Sequence, residues 1–170
     1  MSEPQAAETR HERRKRRNRQ ALIEAGHQVM ARKGIDAATM SESNTFEDPA
    51  QVYAFGIRNV MKAATTDHRW RWLLRRSEVI ADAMYRVMGP YAIRDICNAV
   101  AAGRYQVEDP EMAWRQATHA IVGFSLAVCD DKLPPGKIDE AVVNLLGMVG
   151  VPRGEALEIA RRPCPDLPRE

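Results

Sequence analysis

From Ala117 to Cys129 the chain is apolar on nearly every side of a helix. After Pro134-Pro135-Gly136 a second such stretch carries Ile138, Ala141, Val142, Leu145, Leu146, Met148 and Val149. A helix that is hydrophobic all round must be covered all round. One subunit of 170 residues cannot easily enclose two of them. Packing them against a second copy solves the problem with a two-fold four-helix interface. We therefore expect a homodimer. Its contacts would come from Ala113, Ala117, Ala120, Ile121, Phe124, Ala127, Ile138, Val142, Leu145 and Leu146, with the alanines allowing close approach. The alternative is that both helices fill the core of a single subunit.

Helical periodicity extends along the rest of the chain, with almost no strand signal. Residues 13–33 place Leu22, Ala25, Gly26, Val29 and Met30 on one face, and Gly34 is suited to a C-cap. Asp48-Pro49 opens a helix to about Ala64, with Asp48 as N-cap and Pro49 at the first helical position; Val52, Phe55, Gly56, Val60 and Ala63 are expected to face inward. Thr66 or Asp67 starts a third helix holding Trp70, Leu73 and Leu74. Val79, Ile80, Ala83, Met84, Val87 and Met88 form the stripe of a fourth, which Gly89-Pro90 is expected to end. A separate helix then starts at Pro90, carries Ile93, Ile96, Cys97 and Val100, and stops near Gly103. Asp109-Pro110 repeats the cap-plus-proline start, and a last short helix runs from Pro152 to Pro163. The spacing predicts an all-α protein.

Charge is distributed unevenly. Seven cations between Arg10 and Arg19 outweigh Glu3, Glu8 and Glu12, so residues 1–19 carry +4 and the other 151 carry −2. A basic arm on a mildly acidic body suits a polyanion, because each cation placed on a phosphate releases condensed counterions. A solvated tail that touches nothing has the same composition. Cys97, Cys129 and Cys164 form no C-x-x-C pair and stand at no metal-ligand spacing from a histidine, so reduced thiols in a cytoplasmic protein are expected. Residues 1–19 lack the apolar core of a signal peptide, and no apolar run is long enough to cross a bilayer. There is no Gly-rich phosphate loop, nucleophile elbow or H-E-x-x-H, so no enzyme and no cofactor are expected.

The stretch from Leu22-Ile23-Glu24-Ala25-Gly26 through Val29-Met30 and Gly34 to Thr39-Met40 resembles the first helix of TetR-type repressors, with the basic arm just upstream. Asp67 to Leu74, and the run from Leu145 through Gly150-Val151-Pro152 to Arg161-Arg162-Pro163, are similar to regulatory and C-terminal segments of that family. The resemblance covers most of the chain. It implies a DNA-binding part in residues 1–47 and a helical ligand-binding and dimerisation domain in 48–170.

The departure matters as much. In the family a second helix, a turn, a recognition helix and an aromatic-rich segment follow the threonine. Here only Ser41 to Glu47 separate Met40 from Asp48. Seven residues hold at most about two turns of helix, too few for a helix-turn-helix. The element that would read base edges in the major groove is missing from this sequence. Arg13, Arg14, Arg16, Arg17 and Arg19 could still hold phosphates, and the resemblance gives Thr39 the same role. Such contacts position a protein without specifying sequence. The expected partners are therefore DNA, bound weakly and without sequence preference, a second copy of the chain, and a small apolar effector, with no membrane.

The resemblance also implies an effector pocket among Phe55, Met61, Trp70, Leu74, Tyr85, Met88 and Tyr91. Aromatics and methionines at helical spacing are more often plain core, and His119 reads as a core or interface histidine. Trp70 and Trp72 lie two apart on a helix and so point to different faces. Two readings stand. One is a ligand-responsive regulator of the TetR type whose operator reading is impaired. The other is a dimerising, ligand-binding protein that no longer recognises an operator and acts through heterodimers.

Overall fold

The computed structural model describes residues 46–66 and 68–163, together with residues 10, 12–14, 16, 17, 20 and 21. All regular structure among them is helical. The elements are α1 (Pro49–Thr66), α2 (His68–Leu74), α3 (Ser77–Ala101), α4 (Pro110–Cys129), α5 (Ile138–Met148) and α6 (Arg153–Arg161), with a 3-10 turn at Pro135–Lys137 ahead of α5. The expected face of Leu22, Ala25, Gly26, Val29 and Met30, its cap Gly34 and residues 41–45 lie outside the described residues.

Two helix starts follow from their caps. Asp48 accepts the Ala50 N–H at 3.0 Å, and Asp109 accepts the Met112 N–H at 2.9 Å with Pro110 next in the helix. Each proline sits where its missing N–H has no intrahelical acceptor to serve. Helix ends are equally explicit. Gly103 (φ 71°) and Gly150 (φ 88°) adopt the left-handed conformation beyond α3 and α5. At α3, Gly103 N–H donates to Val100 O and Arg104 N–H to Ala99 O. At α5, Gly150 N–H donates to Gly147 O and Val151 N–H to Leu146 O. Both ends are Schellman motifs. The segment after α3 then crosses the end of α5, where Gln106 N–H donates to Val149 O at 3.0 Å.

The expected break at Gly89-Pro90 does not occur: α3 runs straight through Pro90. Ile80, Ala81 and Met84 before it and Ile96 and Ala99 after it enter one continuous core. Burying the second half of the helix there offsets a local proline cost of about 3 kcal/mol. Gly89 lies against the Trp114 ring of α4, where even an added Cβ would touch the indole at 3.5 Å. Tertiary packing overrides the local breaker.

Burial also falls differently from the expectation. The helix covered on most sides is α1, where Ile57, Arg58, Asn59, Val60 and Met61 are buried in succession. It packs on α2, α4, α5 and α6. Val52, Gly56 and Ala63, expected inside, are only half-buried, and Ala50, Ala54 and Ala64 take the core positions. By contrast α4 and α5, apolar as they are, each keep an open side. Ala113, Ala117, Ile121, Ile138, Val142, Leu145 and Leu146 are buried within the single chain. Within the single chain α4 is covered by α1 and α3, and α5 by α1 and α6. The open side of α4 carries Met112, Gln116, His119, Ala120 and Gly123, flanked by the half-buried Phe124 and Ala127; that of α5 carries Asn144, Gly147 and Met148.

Candidate effector core and DNA-contacting arm

Arg13, Arg14, Arg16 and Arg17 are exposed and helical. Arg19 and Thr39, the other two expected phosphate contacts, lie outside the described residues. With several cations on one short stretch, the arm can follow a phosphate backbone.

The seven expected effector residues fall into three settings. Phe55, Met61, Trp70 and Leu74 are buried, Tyr85 and Met88 are half-buried, and Tyr91 is 49% exposed. Trp70 is buried while Trp72, two positions on, is 61% exposed. The half-buried Tyr85 stacks under the Arg115 guanidinium at 3.9 Å, a cation–π contact that fixes α3 against α4. Tyr91 takes a similar contact from Arg94 on the surface at 5.8 Å.

Buried polar atoms on these helices are more telling. The Tyr53 hydroxyl, Asn59 Nδ2, the Trp70 and Trp114 indole N–H groups and the Ser125 hydroxyl are buried and hydrogen-bond to no described residue. Buried polar groups are nearly always paired, so these five on α1, α2 and α4 require an explanation. Four of the five residues (Tyr53, Asn59, Trp114 and Ser125) are absent from the expected pocket. A sequence signal existed for Ser125, which interrupts the otherwise apolar ridge of Ile121, Val122 and Val128 on α4.

An ionic clamp closes the other end of the bundle. Arg104, just past α3, donates to Asp48 at 2.9 and 3.3 Å and to Glu155 of α6 at 2.8 and 3.4 Å. The Tyr105 hydroxyl donates to Pro49 O at 3.0 Å. The entry to α1 is thus tied to α6 and to the α3–α4 connection. Partial burial would raise the Asp48 pKa, but the Arg104 hydrogen bond and charge and the Ala50 N–H outweigh it and hold the carboxyl below its ordinary 3.8. A depressed folded-state pKa stabilises the fold above the unfolded value, and the gain is lost as pH falls through the folded value. Asp48→Asn should therefore destabilise the protein at neutral pH and make less difference as pH falls below about 4. Urea melts of both proteins across pH 3–7 check this; an unchanged difference at every pH would contradict it.

Residues 48–162 match the family described as "Tetracyclin repressor-like, C-terminal domain". The chain belongs to that family. Among solved structures it is similar to RolR in complex with its ligand resorcinol, at 25% identity over 88% of this chain and 74% of that one, with a TM-score of 0.77. The ligand-free form of RolR matches at 26% identity over 88% of this chain and 77% of that one, with a TM-score of 0.72. No curated protein matches the sequence.

This TetR-like chain is accordingly a regulator rather than an enzyme, with an all-α regulatory fold. No described helix is long and apolar enough to cross a membrane, and no group of potential ligands for a metal ion occurs among the described residues. The family match begins at Asp48, the N-cap of α1, and takes in the whole of the bundle through α6.

Proposed function

We propose that this chain is an effector-responsive regulator of the TetR type whose ability to read an operator is impaired. The observation that carries the reading is the contrast between a family match over residues 48–162 and the seven residues that separate Met40 from Asp48. The regulatory domain is matched by the family, while the seven residues before it are too few for a turn and a recognition helix.

The effector is a small, largely apolar molecule with hydrogen-bonding groups. Buried polar groups without a hydrogen-bond partner on α1, α2 and α4 favour it, since a hydroxyl on such a molecule can accept from an indole or amide N–H or pair with a hydroxyl. Resorcinol, which RolR binds, has that chemistry. Titration with resorcinol and other hydroxyarenes lacking a carboxylate should change the emission of the buried Trp70 and Trp114 and raise the melting temperature. No change in either across such a panel up to millimolar concentration would count against this effector class.

Assembly is a homodimer through the open sides of α4 and α5. Ala120, Gly123 and Gly147 permit close approach of a second copy, and Phe124, Met112 and Met148 offer apolar area. Gly123 provides a clean probe, because a Cβ there meets nothing within 4 Å in its own chain. Light scattering should give twice the monomer mass for the native chain at micromolar concentration, and the monomer mass for Gly123→Glu. A native monomer, or a dimer untouched by the glutamate, would contradict the assignment.

The second reading, a dimer that works by capturing a full-length partner, draws on residues 41–47. A chain that assembles without reading DNA would yield a heterodimer with one reading half.

A further inference from the structure

We propose that a second ligand site, for a small organic carboxylate, lies between the N-terminal approach to α1, α1 itself and α6. A recess there is lined by Phe46, Gln51, Ala54, Phe55, Arg58 and Arg162. Arg58 is the decisive group. It is only 7% exposed and stands among Ile57, Val60 and Met61, yet it carries a permanent charge.

Its guanidinium is incompletely served. Nη1 donates to Arg162 O at 3.2 Å. Nη2 lies 3.1 Å from Asp139 Oδ1 but without hydrogen-bond alignment, and Nε has no hydrogen-bond partner. Asp139 is itself 61% exposed, so water competes for its carboxylate. A buried cation needs well-aligned acceptors to offset its desolvation. The adjacent Nε and Nη2 edge of an arginine is the edge that takes a carboxylate through two parallel bonds.

The surroundings select the rest of the ligand. Arg162 adds a second cation at the rim, held at 2.8 Å by Gln51 Oε1 and 3.9 Å from Asp48 Oδ2. The Phe46 and Phe55 rings meet with centroids 5.5 Å apart, tilted by 58°. Two guanidinium groups beside two rings suit a carboxylate on a compact apolar or aromatic body. An ammonium ligand would be repelled, and a neutral amide would leave the charge unanswered. The five unpaired polar groups of the effector core belong to other residues, so this site does not depend on the effector reading above. It also lies where the chain passes from Phe46 into α1, so a bound anion would join α6 to the segment leading toward the arm.

Isothermal titration calorimetry of the full chain with sodium benzoate tests the proposal, with benzamide as its neutral counterpart. Benzoate should bind with a dissociation constant of millimolar or below, and benzamide should not bind. Arg58→Lys, which keeps the charge and loses the fork, should weaken benzoate at least tenfold. Asp139→Asn removes the competing carboxylate at an exposed position and should tighten benzoate several-fold, so the proposal stays testable even if the Arg58 variant does not fold. Equal binding of benzamide, absence of benzoate heat up to 10 mM, or an unchanged or weaker affinity in Asp139→Asn would overturn it.

Discussion

Gly150→Ala is expected to destabilise the chain by about 3 kcal/mol, and Gly103→Ala by about 1 kcal/mol. Both glycines close Schellman motifs at positive φ, and a left-handed L-residue costs roughly 1–2 kcal/mol. That part is common to both. A Cβ at Gly103 meets nothing within 4 Å, whereas at Gly150 it would stand 2.8 Å from Gln106 Cβ, 2.9 Å from Gln106 N and 3.3 Å from Gln106 Cα. Two of those atoms are backbone and cannot swing aside. Relief would move the segment after α3 off the end of α5 and break the Gln106 N–H to Val149 O bond, worth a further 0.5–1.5 kcal/mol or so. For a chain of this size 1 kcal/mol shifts the melting temperature by about 2–4 °C, so the two variants should differ by several degrees. Equal melting temperatures would mean that the Gln106 contact carries no load.

Affinity for DNA should collapse with salt. If Arg13, Arg14, Arg16, Arg17 and Arg19 each neutralise a phosphate, log affinity falls against log salt with a slope of about −0.9 per contact. Five contacts then lose a few hundred-fold between about 50 and 200 mM salt. Replacing Arg13, Arg14, Arg16 and Arg17 with alanine should remove nearly all binding, to the same extent on every sequence, because phosphate contacts carry no base information. Anisotropy titrations at several salt concentrations give the slope directly. A slope near zero, or arm variants that lose binding on one sequence alone, would contradict the proposed role of the arm.

Local signals were legible where the chemistry is local. Asp48-Pro49 and Asp109-Pro110 mark helix starts because a side-chain acceptor and a missing donor suit an N-terminus whatever surrounds it. Pro90 misled for the complementary reason: its cost is local, but the core that keeps α3 continuous is assembled from Met84, Ile96 and Trp114, far apart in sequence. The burial of α1 was hidden by Arg58 and Asn59, whose polarity makes a central helix read as amphipathic. The apolarity of α4 and α5 did not separate the sides they turn to their own chain from the sides left open: Ala117 and Ile121 pack within α1, α3 and α4, and Val142 and Leu146 within α1, α5 and α6. The effector core was the least legible part, since an unpaired indole or hydroxyl is a property of neighbours in space. Tyr53 and Trp114 look like ordinary core aromatics until their polar atoms are followed.

Sequence discrimination on DNA is the most direct measurement. The native chain should be titrated at physiological salt against a palindromic operator taken from the promoter region beside its own gene and against a scrambled duplex of the same length. Each well-placed bidentate contact to a base edge is worth about 1–3 kcal/mol of discrimination, and the seven residues between Met40 and Asp48 are too few for the helix-turn-helix that would deliver one. The expected result is weak binding to both duplexes with affinities equal to within a few-fold. Binding to the operator a hundredfold or more tighter than to the scrambled duplex would show that a base-reading element is present and that the chain is a working repressor.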